Sequence, residues 1–271
     1  MTYRTFLKKH DGPDARTTVL YGTGFDLTEL ILRMDEEIPD GVLRVLEDAV
    51  ARTGAGEPLQ YVFKKAPFYG FWFDVDERVL IPRFDSEILV NEVLTAIPET
   101  GRTDVLDLCA GSGCLGLTIG ALRKDARITL SDISGGALEV ARKNAEKLGV
   151  DASIVKSDLF AAVEGAFDVI VSNPPYIRTG EIETLDENVR AHEPRLALDG
   201  GAEGLAFYRR IAKDAGRFLK ENGRIFLEIG YDEAESVTAL LEKNGFSEIR
   251  VVRDLALKDR VVSACYGNSN N

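Results

Sequence analysis

The sequence predicts an α/β protein: a Rossmann-like domain with a seven-stranded sheet, preceded by a small helical domain and a β-hairpin linker. From Asp104 onward, short apolar strands alternate with segments of helical spacing, which is typical of a parallel sheet with helices on both faces. The gap between the last two predicted strands, 248–252 and 261–266, is too short to hold a helix. These two strands should therefore form an antiparallel hairpin at the edge of the sheet.

The chain before the sheet has two segments of different pattern. Apolar residues recur at helical spacing over residues 27–50, with Asp26 as the predicted N-cap of the first helix and Gly54 near the end of the second. Aromatic residues then dominate positions 63–75, where a turn signal at Gly70 indicates a hairpin. We predict a helical domain at 1–62, a hairpin linker at 63–102, a sheet domain at 103–271 and a disordered tail at 267–271.

The first strand of the sheet domain runs into a glycine-rich turn. Residues 104–108 form the strand, 109–116 the turn, and apolar residues at helical spacing follow. Glycine lets the backbone approach a ligand closely, and the following helix N-terminus offers free N–H groups. The second strand ends at Asp132, 21 positions after Gly111, where a carboxylate can accept from a ribose diol. The predicted nucleoside site comprises Ala110, Gly111, Ser112, Gly113, Cys114 and Asp132.

Residues 111–116 also satisfy the G-x-G-x-x-G pattern of dinucleotide sites, so the glycine turn alone is compatible with more than one nucleoside ligand. Asp107 at the end of the first strand argues against a dinucleotide, since its carboxylate would repel a pyrophosphate. S-adenosylmethionine fits better, because it carries an amino group and a sulfonium but no phosphate. After the third strand, Asp158 could accept from an adenine amino group beside Leu159; the alternative is that Asp158 caps a helix.

A second candidate site follows the apolar strand 167–172, where the sequence reads Asn173-Pro174-Pro175-Tyr176. The two prolines end the strand and leave carbonyl acceptors with no competing N–H donor. The asparagine adds a side-chain acceptor and the tyrosine a flat face. Together they could hold a planar –NH2 group of an amide or an exocyclic amine, and Asn173 would also lie beside the cofactor. The alternative is a strand-ending turn with a packed tyrosine.

Several motifs in this order resemble the peptide chain release factor glutamine methyltransferases, and the resemblance covers most of the chain. The segments that carry it are Gly56–Tyr61, Val79–Arg83, Asp107–Gly113, Asn173–Tyr176, Glu193-Pro194 and Leu205–Arg209. The chain departs from the family at Phe84-Asp85-Ser86-Glu87, where Pro-Glu-Thr-Glu is usual, and at Lys64-Lys65, where a glycine is usual. Both departures lie in the linker, outside the predicted nucleoside and amide sites.

The resemblance implies a class I S-adenosylmethionine-dependent methyltransferase that methylates the glutamine side-chain amide in the Gly-Gly-Gln motif of release factors. Asn173, Pro174, Pro175 and Tyr176 would then be the catalytic residues. Three alternatives remain: glutamine methylation of a ribosomal protein, adenine-amino methylation of nucleic acid, and a non-catalytic S-adenosylmethionine-binding module.

Composition narrows the class of partner. The net charge is −12, and neither the first hundred residues nor the rest is basic, which argues against DNA as a direct partner. Three cysteines without framework spacing predict a reducing compartment, and two histidines argue against a histidine-rich metal site. No apolar run has the length of a signal or a membrane span. We expect a cytoplasmic monomer without a metal.

Overall fold

The computed structural model describes residues 1–11 and 13–267, so the predicted disordered tail, apart from Gly267, lies outside the described residues. The chain forms two compact units. The first comprises residues 1–65 and 186–192, and the second comprises 66–185 and the chain from Glu193 onward. The division by role into helical domain, linker and sheet domain stays a prediction.

The first unit is built from short helices. They are α1 (Tyr3–Lys9), α2 (Pro13–Thr23), α3 (Leu27–Leu32), α4 (Asp40–Gly54) and α5 (Leu59–Val62). Asp26 caps α3, because its Oδ1 accepts from the Glu29 N–H at 2.8 Å while the Glu29 carboxylate accepts from the Asp26 N–H at 3.1 Å. The predicted N-cap is therefore confirmed. The apolar sides of the helices meet in a core around the fully buried Phe6 and Leu46.

The strands form two sheets. Within the described residues, the small sheet consists of β1 (Lys65–Phe68) and β2 (Phe71–Asp74), and the large sheet consists of β3 (Thr103–Leu108), β4 (Ala126–Asp132), β5 (Ala152–Lys156), β6 (Phe167–Ser172), β7 (Leu219–Glu228), β8 (Phe246–Arg253) and β9 (Asp259–Tyr266). The spatial order of the large sheet is β5-β4-β3-β6-β7-β9-β8. Neighbours from β5 to β7 are parallel, and β9 is antiparallel to β7 and β8. The predicted seven-stranded sheet with an antiparallel edge is confirmed.

Helices cover both faces of the large sheet. They are α6 (Glu87–Ala96), α7 (Cys114–Leu122), α8 (Gly135–Leu148), α10 (Ala206–Asp214) and α11 (Ala234–Lys243), whereas α9 (Glu187–His192) belongs to the first unit. Val105 packs in one core with Leu89 and Leu117, and its neighbour Leu106 packs in the opposite core with Ile211. The central strands are thus buried on both sides, which explains their continuous apolar runs.

Residues 87–96 form the helix α6, although the sequence pattern placed them in the hairpin linker. Its side chains Leu89, Val90 and Val93 are fully buried in the same core as β3. The apolar spacing of a ten-residue segment is compatible with a connector or with a core helix. The surface against which it packs decides between them.

The apolar spacing of Tyr208, Ile211, Ala215 and Phe218 predicts a helix from Leu205 to about Leu219, but the helix in the structure is shorter. It ends at Asp214, and β7 begins at Leu219. A β-carbon at Gly216 would lie 2.2 Å from Cε2 of the Tyr266 ring, so only glycine fits at this position. Glycine also weakens an α-helix, and the chain passes here from the α-helix into a 3-10 turn over Ala215–Arg217.

Candidate active site

Turns that follow four neighbouring parallel strands surround a cavity of about 260 Å³ in the second unit. The strands are β3, β4, β5 and β6, whose carboxyl ends meet at one edge of the sheet. The cavity is lined by the predicted residues Ala110, Gly111, Ser112, Cys114, Asp132, Asp158, Leu159, Asn173 and Pro175. The other predicted residues, Asp107, Gly113, Pro174 and Tyr176, do not line it, but each is next to a lining residue in the chain.

The glycine turn after β3 takes a conformation that favours glycine. Gly111 has a φ of 56° and Gly113 a φ of 79°, both in the left-handed region. The Gly113 N–H donates to the Ala110 carbonyl at 2.7 Å and closes the turn. A β-carbon at Gly111 would meet no atom within 4 Å, so this glycine leaves open space at the cavity. The backbone can therefore approach a ligand here, as the sequence predicts.

Asp107 lies behind the glycine turn and is fully buried. Its Oδ2 accepts from the Gly116 N–H at 2.8 Å, while its Oδ1 has no hydrogen-bond partner in the described part of the chain. Burial raises the pKa of this carboxyl to about 7, and the charge of Asp132 adds to the increase. A buried carboxylate with a free oxygen favours a cationic ligand beside it rather than a phosphate.

Asp132 ends β4 and lines the cavity. Its Oδ2 accepts from the Gly111 N–H at 2.9 Å and its Oδ1 from the Ser134 N–H at 2.8 Å. Burial raises the pKa of the carboxyl, and these backbone donors oppose the increase. Each carboxylate oxygen can accept a second hydrogen bond, so the fixed carboxylate keeps capacity for a ligand diol.

Asp158 lines the cavity after β5 and forms an ion pair with Arg210 of α10 at 2.9 Å. Both side chains are about half exposed. The residues that follow Asp158 form turns rather than a helix, so the alternative that it caps a helix is wrong. Its predicted contact with an adenine stays a prediction, and the neighbouring Leu159 supplies a buried apolar side chain.

Asn173 directly follows β6 at the edge of the cavity. Its Nδ2 donates to the Ser86 Oγ at 3.4 Å. The two prolines after it are buried, and Tyr176 is partly buried, which raises the pKa of its hydroxyl. A β-carbon at Gly200 would lie 2.7 Å from the Tyr176 Cα, so a glycine loop supports the backbone of the motif closely. The predicted roles of this motif stay predictions.

Comparison with known proteins decides the family. A family model described as the PrmC N-terminal domain matches residues 3–63, and one described as the methyltransferase small domain matches 84–203. The release factor glutamine methyltransferase of Agrobacterium fabrum is 40% identical over 256 residues, which are 92% of this chain and 89% of that protein. The protein of the same name from Caulobacter vibrioides is 40% identical over 252 residues, 92% and 87% of the two chains. The chain belongs to the release factor glutamine methyltransferase family.

The fold of this family member is found in solved methyltransferases. The crystal structure of a methyltransferase from Pyrococcus furiosus superposes with a TM-score of 0.58 at 17% sequence identity, covering 82% of this chain and all of that one. At this identity the likeness concerns the fold. The predicted class I methyltransferase fold, with a helical N-terminal part, is confirmed.

Two segments of the family resemblance, Val79–Arg83 and Glu193-Pro194, contact each other in the structure, although neither sequence pattern indicated a role. Glu193 is 5% exposed, and its carboxylate accepts from the Ile81 N–H at 3.2 Å and from the Arg83 guanidinium. It thereby ties the segment around Arg83, which lines the cavity, to the start of the 193–204 loop. The sign of this contact in the sequence is that both segments belong to the family resemblance.

Ser86 and Glu228 lie close to Asn173 in the structure, but the sequence patterns indicated neither of them as a site residue. Ser86 lies 87 positions before Asn173, and Glu228 ends an ordinary apolar strand, so neither has a local pattern that indicates a site. Both are almost completely buried.

Cys109, Cys114 and Cys265 are free thiols, and burial raises the pKa of the Cys114 thiol to about 12. Among the described residues, no group of three or more His, Cys, Asp or Glu side chains could hold a metal ion. The described helices include none that is long and apolar enough to cross a membrane.

Proposed function

We propose that this protein transfers the methyl group of S-adenosylmethionine to the side-chain amide nitrogen of the glutamine in the Gly-Gly-Gln motif of a peptide chain release factor. The observation that carries the proposal is that Asn173, with its Nδ2 turned to Ser86, lines the same cavity as Gly111 and Asp132. A hydrogen-bond acceptor suited to an –NH2 group thus lies beside a nucleoside site. The relatives are named for release factors, which supports this substrate.

The residues of the cavity fit S-adenosylmethionine. Asp132 would hold the ribose diol, and Asp158 with Leu159 would hold the adenine. The buried Asp107 favours the positive charge of the amino acid part, and its free oxygen is the orphaned polar atom that supports this fit. When bound, the cofactor would supply the methyl group of its sulfonium. The electron pair of the broken S–C bond stays on sulfur.

The amide nitrogen of glutamine is a weak nucleophile, because its lone pair is delocalised into the carbonyl. The Asn173 side-chain oxygen and the Pro174 carbonyl accept its two N–H hydrogens and orient the nitrogen toward the methyl donor. The ring of Tyr176 packs on the flat face of the amide. As the C–N bond forms, the nitrogen becomes positive and the two oxygens stabilise that charge. One N–H proton then passes to water, so the methylated amide becomes neutral again.

The first 62 residues form the surface that recognises the substrate protein, and residues 63–102 link it to the methyltransferase domain, with α6 of this linker packed in the core of the second unit. The match of residues 3–63 to a domain model of this family supports the assignment. The protein acts as a monomer in the cytoplasm, where release factors work. The net charge of −12 weighs against nucleic acid as the substrate.

The test is methylation with labelled S-adenosylmethionine of three substrates: a release factor, its Gln→Ala variant at the Gly-Gly-Gln motif, and adenine-containing DNA. We expect label on the first alone, with little change between about 50 and 200 mM salt, because no phosphate contacts are involved. Equal label on the Gln→Ala variant, or salt-sensitive label on DNA alone, would overturn the proposal.

The Asn173→Ala variant tests the amide site itself. We expect kcat to fall by about 100-fold or more, because the lost acceptor stabilises charge that develops during transfer. Calorimetric binding of S-adenosylmethionine is the control and should change much less. A variant with the kcat of the wild type would remove Asn173 from the reaction.

A further inference from the structure

Glu228 and Asn173 are neighbours at the carboxyl end of the sheet. Strands β6 and β7 pair in parallel with Ser172 beside Leu227, so the next residue of each strand also lies side by side. Glu228 is 1% exposed and Ser86 is 2% exposed. The backbone of Glu228 is held in place, because the Tyr208 hydroxyl donates to its carbonyl at 2.7 Å. Two almost completely buried side chains, Ser86 and Glu228, thus flank the partly buried Asn173 at the cavity.

In the part of the chain that the structure describes, the buried Glu228 carboxylate forms no salt bridge. Its Oε2 has no hydrogen-bond partner among the described residues. Arg260 is the nearby cation, but its guanidinium is bound to Asp254 at 3.0 Å and to Asp85 at 3.4 Å. An ionised carboxylate that is buried without a partner lowers the stability of the fold. At a purely structural position an apolar residue would be more stable.

Burial raises the pKa of Glu228 to about 7. Hydrogen bonds from the Ser86 and Asn173 side chains and the charge of Arg260 oppose this increase, whereas Asp85 adds to it. The titratable and charged groups that face the carboxyl are Arg260, Asp85, Tyr176, Tyr208 and Cys114. The carboxyl is therefore neutral in acid and ionised above neutral pH.

An asparagine side chain can present either its oxygen or its NH2 group to a neighbour, and the neighbour selects the orientation. A carboxylate only accepts, so Glu228 favours the orientation in which Nδ2 of Asn173 faces it and Ser86. The opposite orientation would place two acceptor oxygens against each other. The chosen orientation leaves Oδ1 for the cavity that Asn173 lines.

We propose that Glu228, together with Ser86, is a positioning residue that fixes Asn173 with its oxygen toward the amide of the substrate. This inference rests on the proposed function, in which that oxygen accepts an N–H of the glutamine. The negative charge of Glu228 also polarises the Asn173 amide and makes its oxygen a stronger acceptor. Glu228 does not line the cavity and acts through Asn173, whereas Ser86 lines the cavity beside Asn173.

The experiment measures kcat and KM for the release factor at saturating S-adenosylmethionine in full-length variants. Glu228→Leu removes the acceptor and should lower kcat by roughly 10- to 100-fold with KM changed less, because the effect falls on the transition state. Calorimetric affinity for S-adenosylmethionine should stay within about threefold. Ser86→Ala should lower kcat, whereas Ser86→Thr, which keeps the hydroxyl, should retain it.

The pH profile gives a readout that a purely structural role would not move. Since the carboxylate is the active form, kcat of the wild type should fall as the pH decreases through about 7. Glu228→Gln should show a lower kcat without this acid limb, because an amide does not titrate there. The wild type at acid pH should approach the Glu228→Gln value, since a neutral carboxyl resembles an amide.

Glu233→Gln is the matched control. Glu233 is also buried, and its pKa is also raised to about 7, but its carboxylate accepts from the Gly230 N–H at 2.9 Å rather than from an asparagine side chain. This variant should keep both kcat and the acid limb of the wild type. Loss of the limb in Glu233→Gln but not in Glu228→Gln would overturn the inference.

The outcomes separate the two proposals. Wild-type protein that leaves the release factor unlabelled would overturn the proposed function and the inference with it. Wild-type label together with an unchanged kcat in Glu228→Leu would overturn only the role of Glu228. If Glu228→Leu does not fold, the pH profile of Glu228→Gln decides: an acid limb that persists in this variant rejects the role.

Discussion

At the scale of single residues, Asp132 fixes the glycine turn, and we propose a second task for the same carboxylate, the binding of a ligand diol. It accepts from the Gly111 and Ser134 backbone, which fixes the glycine turn to the end of β4. Each of its oxygens can accept a further hydrogen bond, and the residue lines the cavity. The sequence predicted the second task from the spacing to Gly111. The first task needed the structure, because a carboxylate gives no local sign of the backbone amides it accepts from.

Substitution of Asp132 should separate these tasks. Asp132→Ala leaves the ligand hydroxyls unpaired and should weaken S-adenosylmethionine binding by about 10- to 150-fold, or roughly 1.5–3 kcal/mol. It also frees two backbone donors, so the free energy of unfolding should fall by about 1–3 kcal/mol. Asp132→Asn is the control, because its remaining carbonyl oxygen keeps part of both contacts. Calorimetric titration that gives the dissociation constant of the wild type for Asp132→Ala would remove Asp132 from the site.

At the scale of elements, close packing of α7 on β3 and β4 sets the geometry of the site. A β-carbon at Gly116 would lie 2.7 Å from the Leu130 Cδ2 and 2.9 Å from the Asp107 Cβ. The helix can approach the sheet this closely only because Gly116 has no side chain. This contact also brings the Gly116 N–H to the Asp107 carboxylate.

Gly116→Ala should therefore destabilise the second unit. We expect a loss of about 1–3 kcal/mol, because the added methyl group forces the helix away from the strands. Gly180→Ala is the control, since a β-carbon there meets no atom within 4 Å, and its effect should stay within about 0.5 kcal/mol. Urea unfolding followed by the fluorescence of Trp72, the single tryptophan, reports on this unit. Equal midpoints for the two variants would contradict the packing argument.

At the scale of the whole molecule, buried carboxyls give the second unit an unusual pH dependence. Burial raises the pKa of Asp107, Glu228 and Glu233 to about 7 each. The folded state therefore binds more protons than the unfolded state between the ordinary carboxyl pKa and 7. The stability that these groups contribute is complete below their unfolded pKa and is lost as the pH rises through 7.

Between pH 5 and 7.5 the free energy of unfolding should therefore decrease as the pH rises. Each group adds at most about 1.4 kcal/mol per pH unit to this slope. The Glu228→Gln/Glu233→Gln double variant should show a flatter dependence, because an amide does not titrate. Urea unfolding of both proteins without cofactor, at half-unit pH steps, provides the measurement. A slope in the double variant as steep as in the wild type would show that other groups cause it.

The sequence by itself determined the features that depend on neighbouring residues. The strand, glycine turn and helix over 104–122, the Asn173 motif after β6 and the antiparallel pair at the sheet edge follow from local spacing and turn residues. Such patterns are local because the pleat of a strand, the period of a helix and the torsion angles of glycine are properties of a few consecutive residues.

Only the tertiary structure decided what surrounds these features. It buried one side of α6 in the core that contains β3, replaced the end of the helix predicted over 205–219 by a 3-10 turn in which Gly216 lies against the Tyr266 ring, and brought Ser86, Asn173 and Glu228 together. Burial and side-chain orientation depend on which distant segments share a surface. The pKa of Glu228 and the direction of the Asn173 amide are set by that shared enclosure, and no short stretch of sequence contains it.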